Sequence, residues 1–246
     1  MTESKGDNHH FWIGRLVDRM PEHKSSLVIT DPPYNRNFKY GGGVNDNLPR
    51  EDYHNLLVDT FDKLYDEYTE DDAHLFIIHY PEELAAIWHR LVEPGNGRWK
   101  FHQWISWVYP SNTGRGKHRW TRAHRTILWL TKGNPSFNPE AVLQPFKNPT
   151  DKRVRQHLAN GKTGVPLYDW WEIPVVMNSS KEHLGYKNQI PSELLRRIIL
   201  CASEEGQWVA DPFSGTFSTA RTAIECGRKA WGCDLNTDTK QFFPQS

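Results

Sequence analysis

The chain has 246 residues with thirty basic and thirty acidic side chains, so its formal charge is zero and overall charge announces no polyanion partner; any nucleic-acid surface has to come from local clustering. That length fits one α/β domain. Three cysteines without Cys-x-x-Cys spacing argue against a disulfide framework or zinc finger, twelve histidines scattered away from carboxylates and thiols point away from a metal, and no apolar run or leader pattern predicts a membrane span or a secretory signal.

The residues before Asn8 are polar and are expected to be disordered. His10 to Gly14 reads as a short strand, followed by an amphipathic turn through Leu16, Val17 and Met20. Leu27-Val28-Ile29-Thr30-Asp31-Pro32-Pro33-Tyr34 is the stretch around which the rest is organised. Its β-branched apolar run is long enough for a buried strand but not for a helix, and it ends in a carboxylate. Pro32 and Pro33 fix φ and donate no backbone hydrogen, so their carbonyls stay available as acceptors beside Asp31. Together these make a two-acceptor site for an NH₂ group, with Tyr34 offering a flat face for a ring. The alternative is an ordinary acidic turn. From Asn35 to Leu48 the chain is polar around Gly41-Gly42-Gly43 and predicts a flexible lid over Asp31.

Apolar residues at helical spacing mark a helix from about Arg50 to Tyr68, whose aromatic stripe reads as core. A strand at His74–His79 and a helix through Leu84, Ile87, Trp88 and Leu91 complete the alternation expected of a parallel sheet with crossovers. Two further strand-like runs, His102 to Tyr109 and Thr126 to Leu130, flank a segment rich in Ser, Asn, Gly and cations. No acidic residue occurs between Pro94 and Pro139. Arg115, Lys117, Arg119 and Arg122, with Trp120 interleaved, therefore predict a contact with a nucleic-acid backbone, against the alternative of a solvated hairpin. Pro135 to Gly164 reads as irregular, either a substrate-reading insertion carrying Lys152, Arg153, Arg155 and Lys162 or a plain connection. Tyr168 to Pro174 is an aromatic-rich link, and Pro191 with Ser192 opens a helix.

Gln207 to Asp211 is another apolar strand ending in an acid, followed by Pro212-Phe213-Ser214-Gly215-Thr216, a helical run from Thr219 to Cys226, and a strand from Lys229 to Asp234. Strand, glycine turn, helix and a second strand ending in an acid suit an adenosine-bearing cofactor, with close backbone approach at Gly215 and ribose hydroxyls on Asp234. The full Gly-x-Gly-x-x-Gly fingerprint of nicotinamide binding is absent.

Asp211-Pro212-Phe213-Ser214-Gly215 resembles the S-adenosylmethionine motif, and Thr30-Asp31-Pro32-Pro33-Tyr34-Asn35 the catalytic motif, of the amino-group (N6-adenine and N4-cytosine) DNA methyltransferases. Catalytic motif first and cofactor motif last is similar to the β subgroup. Ala123 to Trp129, Asp169 to Pro174 and Gln189 to Leu195 resemble further segments of that family. The resemblance implies an α/β Rossmann-like fold with a mostly parallel seven-stranded sheet, one antiparallel strand, helices on both faces and a circularly permuted motif order. It implies one methyltransferase domain: a catalytic half at about 10–134, an insertion at about 135–167 and a cofactor half at about 168–236. It implies Asp31, Pro32, Pro33 and Tyr34 as catalytic residues and S-adenosylmethionine as cofactor, held by Asp211 to Thr216, Asp234, Gln189 and Pro191. The implied reaction is methylation of adenine N6 in duplex DNA after base flipping, in a bacterial, archaeal or phage-infected cytoplasm and without metal. N4-cytosine methylation, an RNA substrate and a non-catalytic relative stay open, as do a homodimer and a cognate restriction enzyme. Three positions depart from the family pattern: Phe217 where a second glycine is usual, Ile190 where a lysine is usual, and Arg15 where an acid is usual.

Overall fold

The computed structural model describes residues 3–42, 44, 46–110, 117, 118, 120–186 and 188–244. In chain order the elements are β1 (Glu3–Gly6), β2 (His9–Ile13), β3 (Ser25–Thr30), α1 (Arg50–Lys63), β4 (Thr69–His79), α2 (Pro81–Leu91), β5 (Lys100–Val108) and β6 (His124–Lys132). They continue as β7 (Leu143–Gln144), α3 (Lys152–Ala159), β8 (Val165–Pro166), β9 (Trp170–Glu172), α4 (Ser192–Ala202), β10 (Trp208–Asp211), α5 (Ser218–Glu225) and β11 (Lys229–Asp234).

Alternation along β3 sets the architecture. Leu27 and Ile29 point to one face of the sheet and Val28 to the other, and all three are fully buried. On the first face they join Val209, the α4 residues Leu194, Leu195, Ile198 and Ile199, and Ala220 and Ala223 of α5. On the second, Val28, Leu75 and Ile77 meet Leu57 and Phe61 of α1 and Leu84, Ile87 and Leu91 of α2. Each leucine so enclosed contributes about 2 kcal/mol.

The main sheet runs β1-β2-β11-β10-β3-β4-β6-β5-β9. Its seven inner strands, β2 to β5 in that order, form the expected sheet, in which only β6 runs against its neighbours. The outer two are additions. Residues 3–6, expected to be disordered, pair antiparallel with β2, and the aromatic link contributes β9, parallel to β5. Trp107 Nε1 donating to the Ile173 carbonyl (2.8 Å) helps hold that edge.

Other elements differ from expectation in extent. The expected helix to Tyr68 ends at Lys63 and widens into a π-type turn over Leu64–Tyr68. β4 begins at Thr69 because Thr69 pairs with Ser25, although its exposed Glu70–Asp72 segment has no strand-like pattern. The segment expected to be irregular holds α3, capped by the Asp151 carboxylate, and a short β7–β8 pair. Among the described residues no helix is long and apolar enough to cross a membrane.

β3 and β10 are adjacent and parallel, with Val209 beside Leu27 and Ala210 beside Val28. Asp31 and the Pro212–Thr216 turn therefore leave the sheet side by side at the same end.

Candidate active site

The two strand ends are tied together directly. Thr30 Oγ1 donates to Asp211 Oδ1 at 3.0 Å. The same carboxylate accepts the Phe213 N–H (3.1 Å) and the Thr219 hydroxyl (2.8 Å), so it joins the catalytic strand, the glycine turn and α5. Burial raises Asp211 to about 7, opposed by these hydrogen bonds. Its role is to hold the turn in shape.

The turn beyond it is compact. Ser214 donates its N–H to the Cys233 carbonyl (2.9 Å) and its hydroxyl to the Asp211 carbonyl (2.7 Å). Gly232 on β11 makes that possible, because a Cβ there would lie 2.3 Å from Ser214 Oγ. Gly215 has φ +49°, a left-handed conformation that glycine adopts freely. Its N–H donates to Asp234 Oδ2 at 2.7 Å, and the Asn236 N–H donates to Oδ1 at 2.8 Å. Asp234 thus uses one lone pair of each oxygen on the backbone and keeps the others for hydroxyl donors. A Cβ on Gly215 would meet Tyr186 Cε1 at 3.7 Å, so the glycine leaves a cradle between the turn and that ring, beside Asp234. The chemistry of the turn suits a nucleoside: a glycine backbone that can be approached closely, beside a carboxylate with lone pairs left for hydroxyls. Thr216 is buried with its hydroxyl on Ser218 (2.8 Å), and Pro212 is buried under β11.

Two further expected cofactor residues, Gln189 and Pro191, are engaged in local structure. Gln189 donates one amide hydrogen to the Glu182 carbonyl (2.7 Å) and accepts the Leu184 N–H (3.1 Å), which folds the 182–189 segment. Pro191 sits at the start of α4, its carbonyl accepting the Leu194 and Leu195 N–H groups. Tyr186 and Tyr40, which sequence reasoning missed, stack near the cradle with centroids 6.4 Å apart. Asn236 Nδ2 donates to the Tyr40 carbonyl (2.8 Å), which draws the loop after Tyr34 over the end of β11. That loop was expected to be a flexible lid. Asp46 instead pins it by accepting the N–H groups of Asn35, Arg36 and Phe38, and Asn35 exchanges two bonds with the Leu48 backbone. Gly43 lies outside the described residues.

The three departures from the family pattern have clear surroundings. Phe217 caps α5 with φ +56°, where glycine would be unstrained, and its fully buried ring packs edge-on against Phe11 and Phe243. Ile190 is buried in the core beneath α4. Arg15 is exposed, and its N–H donates to the Asp18 carboxylate.

On the catalytic side, Tyr34 does not offer the free ring face expected of it. It is 2% exposed, and its hydroxyl donates to both oxygens of Asp31, at 2.5 and 2.7 Å. A buried carboxylate needs donors, and this phenol is the nearest. Burial raises Asp31 to about 6, opposed by the charge of Arg125 and by the Tyr34 hydrogen bond. The Pro33 carbonyl is occupied by the Tyr53 hydroxyl (2.6 Å), which also bonds His79 Nε2. Because the Tyr80 N–H donates to His79 Nδ1 (2.7 Å), and burial holds His79 neutral with its pKa lowered to about 3, the ring proton sits on Nε2 and points at Tyr53. The Pro32 carbonyl accepts no such bond from a described residue and is left as the acceptor beside Asp31.

The basic segment is partly answered by acids from elsewhere in the chain. Arg122 donates to Glu82 (2.6 Å), which also takes Arg36 (3.2 Å). Arg98 pairs with Asp66, and Lys132 bonds the Tyr65 and Thr69 carbonyls. Lys117 is exposed and Trp120 is 96% exposed. Arg115 and Arg119 lie outside the described residues. Arg125, inside the Ala123–Trp129 segment but given no role by it, is buried against Tyr34, Tyr80, Trp107 and Tyr109.

Comparison with known proteins agrees with this geometry. The DNA methylase family model for N6 and N4 enzymes matches residues 25–243. The chain is 27% identical over 232 residues to the DNA adenine methyltransferase YhdJ of Escherichia coli, covering 90% of this chain and 76% of that protein. It is 28% identical over 244 residues to the type II methyltransferase M1.MboII of Moraxella bovis, covering 91% and 89%. Its fold matches PvuII DNA methyltransferase, described as cytosine-N4-specific, with TM-score 0.69 at 18% identity over 98% of this chain and 88% of that one. It also matches the M1.HpyAVI–SAM complex, with TM-score 0.61 at 19% identity over 89% and 86%. With the ordered motifs on adjacent strand ends and the family model spanning both, the chain belongs to the N6/N4 DNA methyltransferase family.

Proposed function

We propose that the protein methylates the exocyclic N6 of adenine in duplex DNA, on a base rotated out of the stack. The observation that carries this reading is the Thr30–Asp211 bond, which fixes the two-acceptor site and the nucleoside cradle at one end of the sheet. S-adenosylmethionine, when bound, supplies an electrophilic sulfonium methyl. Gly215, Asp234 and the Tyr186 ring would hold its nucleoside.

The chain's own groups handle the amine. An exocyclic NH₂ is a weak nucleophile because its lone pair is delocalised into the ring. Donating its two N–H bonds to the Asp31 carboxylate and the Pro32 carbonyl favours a tetrahedral nitrogen with a localised pair. The same oxygens stabilise positive charge as it grows on that nitrogen, an effect on the order of 3 kcal/mol for one well-aligned group. A carboxyl group held near 6 can then take the proton the nitrogen sheds and return it to water at neutral pH. The base must leave the stack to reach this site.

We assign the target-reading role to the insertion at about 135–167. Its helix α3 buries no residue and exposes Lys152, Arg153 and Arg155. Lys117, Trp120 and Arg122 contact the backbone. Asp at the first position of the catalytic motif favours adenine over cytosine. The test is incubation with unmethylated genomic DNA, followed by nucleoside mass spectrometry. N6-methyladenine is expected; N4-methylcytosine would transfer the reading to the cytosine enzymes, and no methylated nucleoside would refute it.

A further inference from the structure

Arg125 is an unusual tenant of the catalytic pocket. It is only 7% exposed, yet among the described residues no carboxylate pairs with it, in contrast to Arg36 and Arg122, which share Glu82. Its Nε is buried without a hydrogen-bond partner. What surrounds the guanidinium is aromatic: its carbon lies 4.7 Å from the Tyr34 ring centroid, 5.2 Å from Trp107, 5.6 Å from Tyr109 and 5.9 Å from Tyr80. Such a box suits any flat, delocalised group, whether a guanidinium or a nucleobase. It also adjoins the carboxylate that must receive the base's amine, since the Tyr34 hydroxyl is bonded to Asp31.

We propose that Arg125 occupies, in the free enzyme, the place that the extruded base takes in the complex, and that the guanidinium withdraws as the base enters. This rests on the base-flipping reading above. The covered Tyr34 face and the base cannot share the same space. The backbone of Arg125 is fixed, because β6 is paired with β5 there, Arg125 opposite Trp107. Only the side chain has to move. Its flexible stem can carry the charge out along the segment bearing Lys117, Trp120 and Arg122, toward the phosphates that arrive with the base. The exchange trades ring contacts for a phosphate contact and leaves the box open to the base.

The test separates occupancy of the box from catalysis. Labelled free adenine is equilibrated by dialysis with the protein whose cofactor site is filled with S-adenosylhomocysteine. With the box vacated, Arg125→Ala should bind adenine about tenfold more tightly than wild type, and adding Trp107→Ala should abolish the gain. Arg125→Lys keeps the charge but lacks the planar group, and should gain about threefold; it decides the matter if the alanine variant does not fold. A folded Arg125 variant that binds no more adenine than wild type would overturn the proposal and leave Arg125 as a fixed counter-charge to Asp31. Methyl transfer to genomic DNA by the wild-type protein, measured in parallel, tests the function itself and is indifferent to the adenine result.

Discussion

The turn after β10 and the loop after β3 leave neighbouring strands, but they are held in opposite ways. The cofactor turn is almost self-contained. Asp211, Ser214, Gly215, Asp234 and Asn236 are bonded mostly within one strand-helix-strand unit, with Thr30 reaching in to Asp211 and Asn236 reaching out to Tyr40 and Tyr186. The catalytic loop is held largely from a distance, by Tyr53 of α1, His79 of β4 and Arg125 of β6, with Asp46 bonding inside the loop itself. A site that must bind the same nucleoside every turnover is built of short-range backbone bonds. On the proposed reading, the side that admits a base pulled from a duplex is built of side chains that can be exchanged.

The sharpest break between the two sides is Asp31→Ala. Removing the amine acceptor should lower methyl transfer by on the order of 1000-fold. Binding of S-adenosylmethionine, read by calorimetry, should stay within about twofold, since one group at the base side cannot reach the turn's internal bonds. Loss of both together would mean that the sides are not separable. The same carboxylate sets the pH profile. It acts as acceptor only when ionised, so activity should be flat above its pKa of about 6 and fall about tenfold per pH unit below it. An acid limb near the ordinary aspartate value would show that Asp31 is not the group titrating.

On the cofactor side, Phe217→Gly weighs backbone against packing. Glycine would release the left-handed strain at φ +56°, worth about 1 kcal/mol. Loss of a fully buried ring wedged between Phe11 and Phe243 costs about 3 to 5 kcal/mol. Packing wins, and denaturant unfolding should register a net loss of about 3 kcal/mol. The position that looks like a lost family glycine is therefore a core residue that accepts strain, and a stabilised variant would reverse that reading.

The contrast between the two sides also decided what the sequence could reveal. The shape of the turn from Asp211 to Thr216, and the place of Asp234 at the next strand's end, were legible because its parts are close in sequence and each local choice, strand, glycine and helix start, agrees with the next. Asp31 was legible for the same reason, as a carboxylate at a strand end before two prolines. Tyr53 was read as core, and it is buried; nothing in helical spacing tells that its hydroxyl reaches Pro33. Arg125 was legible only as part of the Ala123–Trp129 strand segment, because a run free of acids along the chain says nothing about rings and acids brought alongside by the sheet. Gln189 adds what the motif could not show, two bonds from its amide to its own loop.

Tyr53→Phe probes that distant support. It removes a hydroxyl that accepts from His79 and donates to Pro33, leaving two buried groups unsatisfied at about 1 to 3 kcal/mol in stability. The rate should fall about tenfold, as the loop carrying the Pro32 acceptor loosens, with cofactor affinity unchanged. An equal fall in cofactor affinity would place Tyr53 in the general fold and not in support of the catalytic loop.

The smallest effect is expected at the rim, where Glu82 holds Arg36 from the catalytic loop and Arg122 from the basic segment. Both pairs are partly exposed, so Glu82→Gln should change stability by less than about 1 kcal/mol. Its effect should appear in DNA binding. Arg122 is released to phosphates while Arg36 keeps its pairing with Glu83, and each added phosphate contact steepens the dependence of log affinity on log salt by about 0.9. Binding to a random duplex should therefore tighten a few-fold at low salt, with a slope steeper by about 1, and the gain should vanish at high salt. A variant with an unchanged slope would mean that Arg122 belongs to the catalytic loop's own scaffold, leaving DNA contact to Lys117, Trp120 and α3. A steeper slope would make Glu82 the internal competitor that holds the base side shut until a stronger anion arrives.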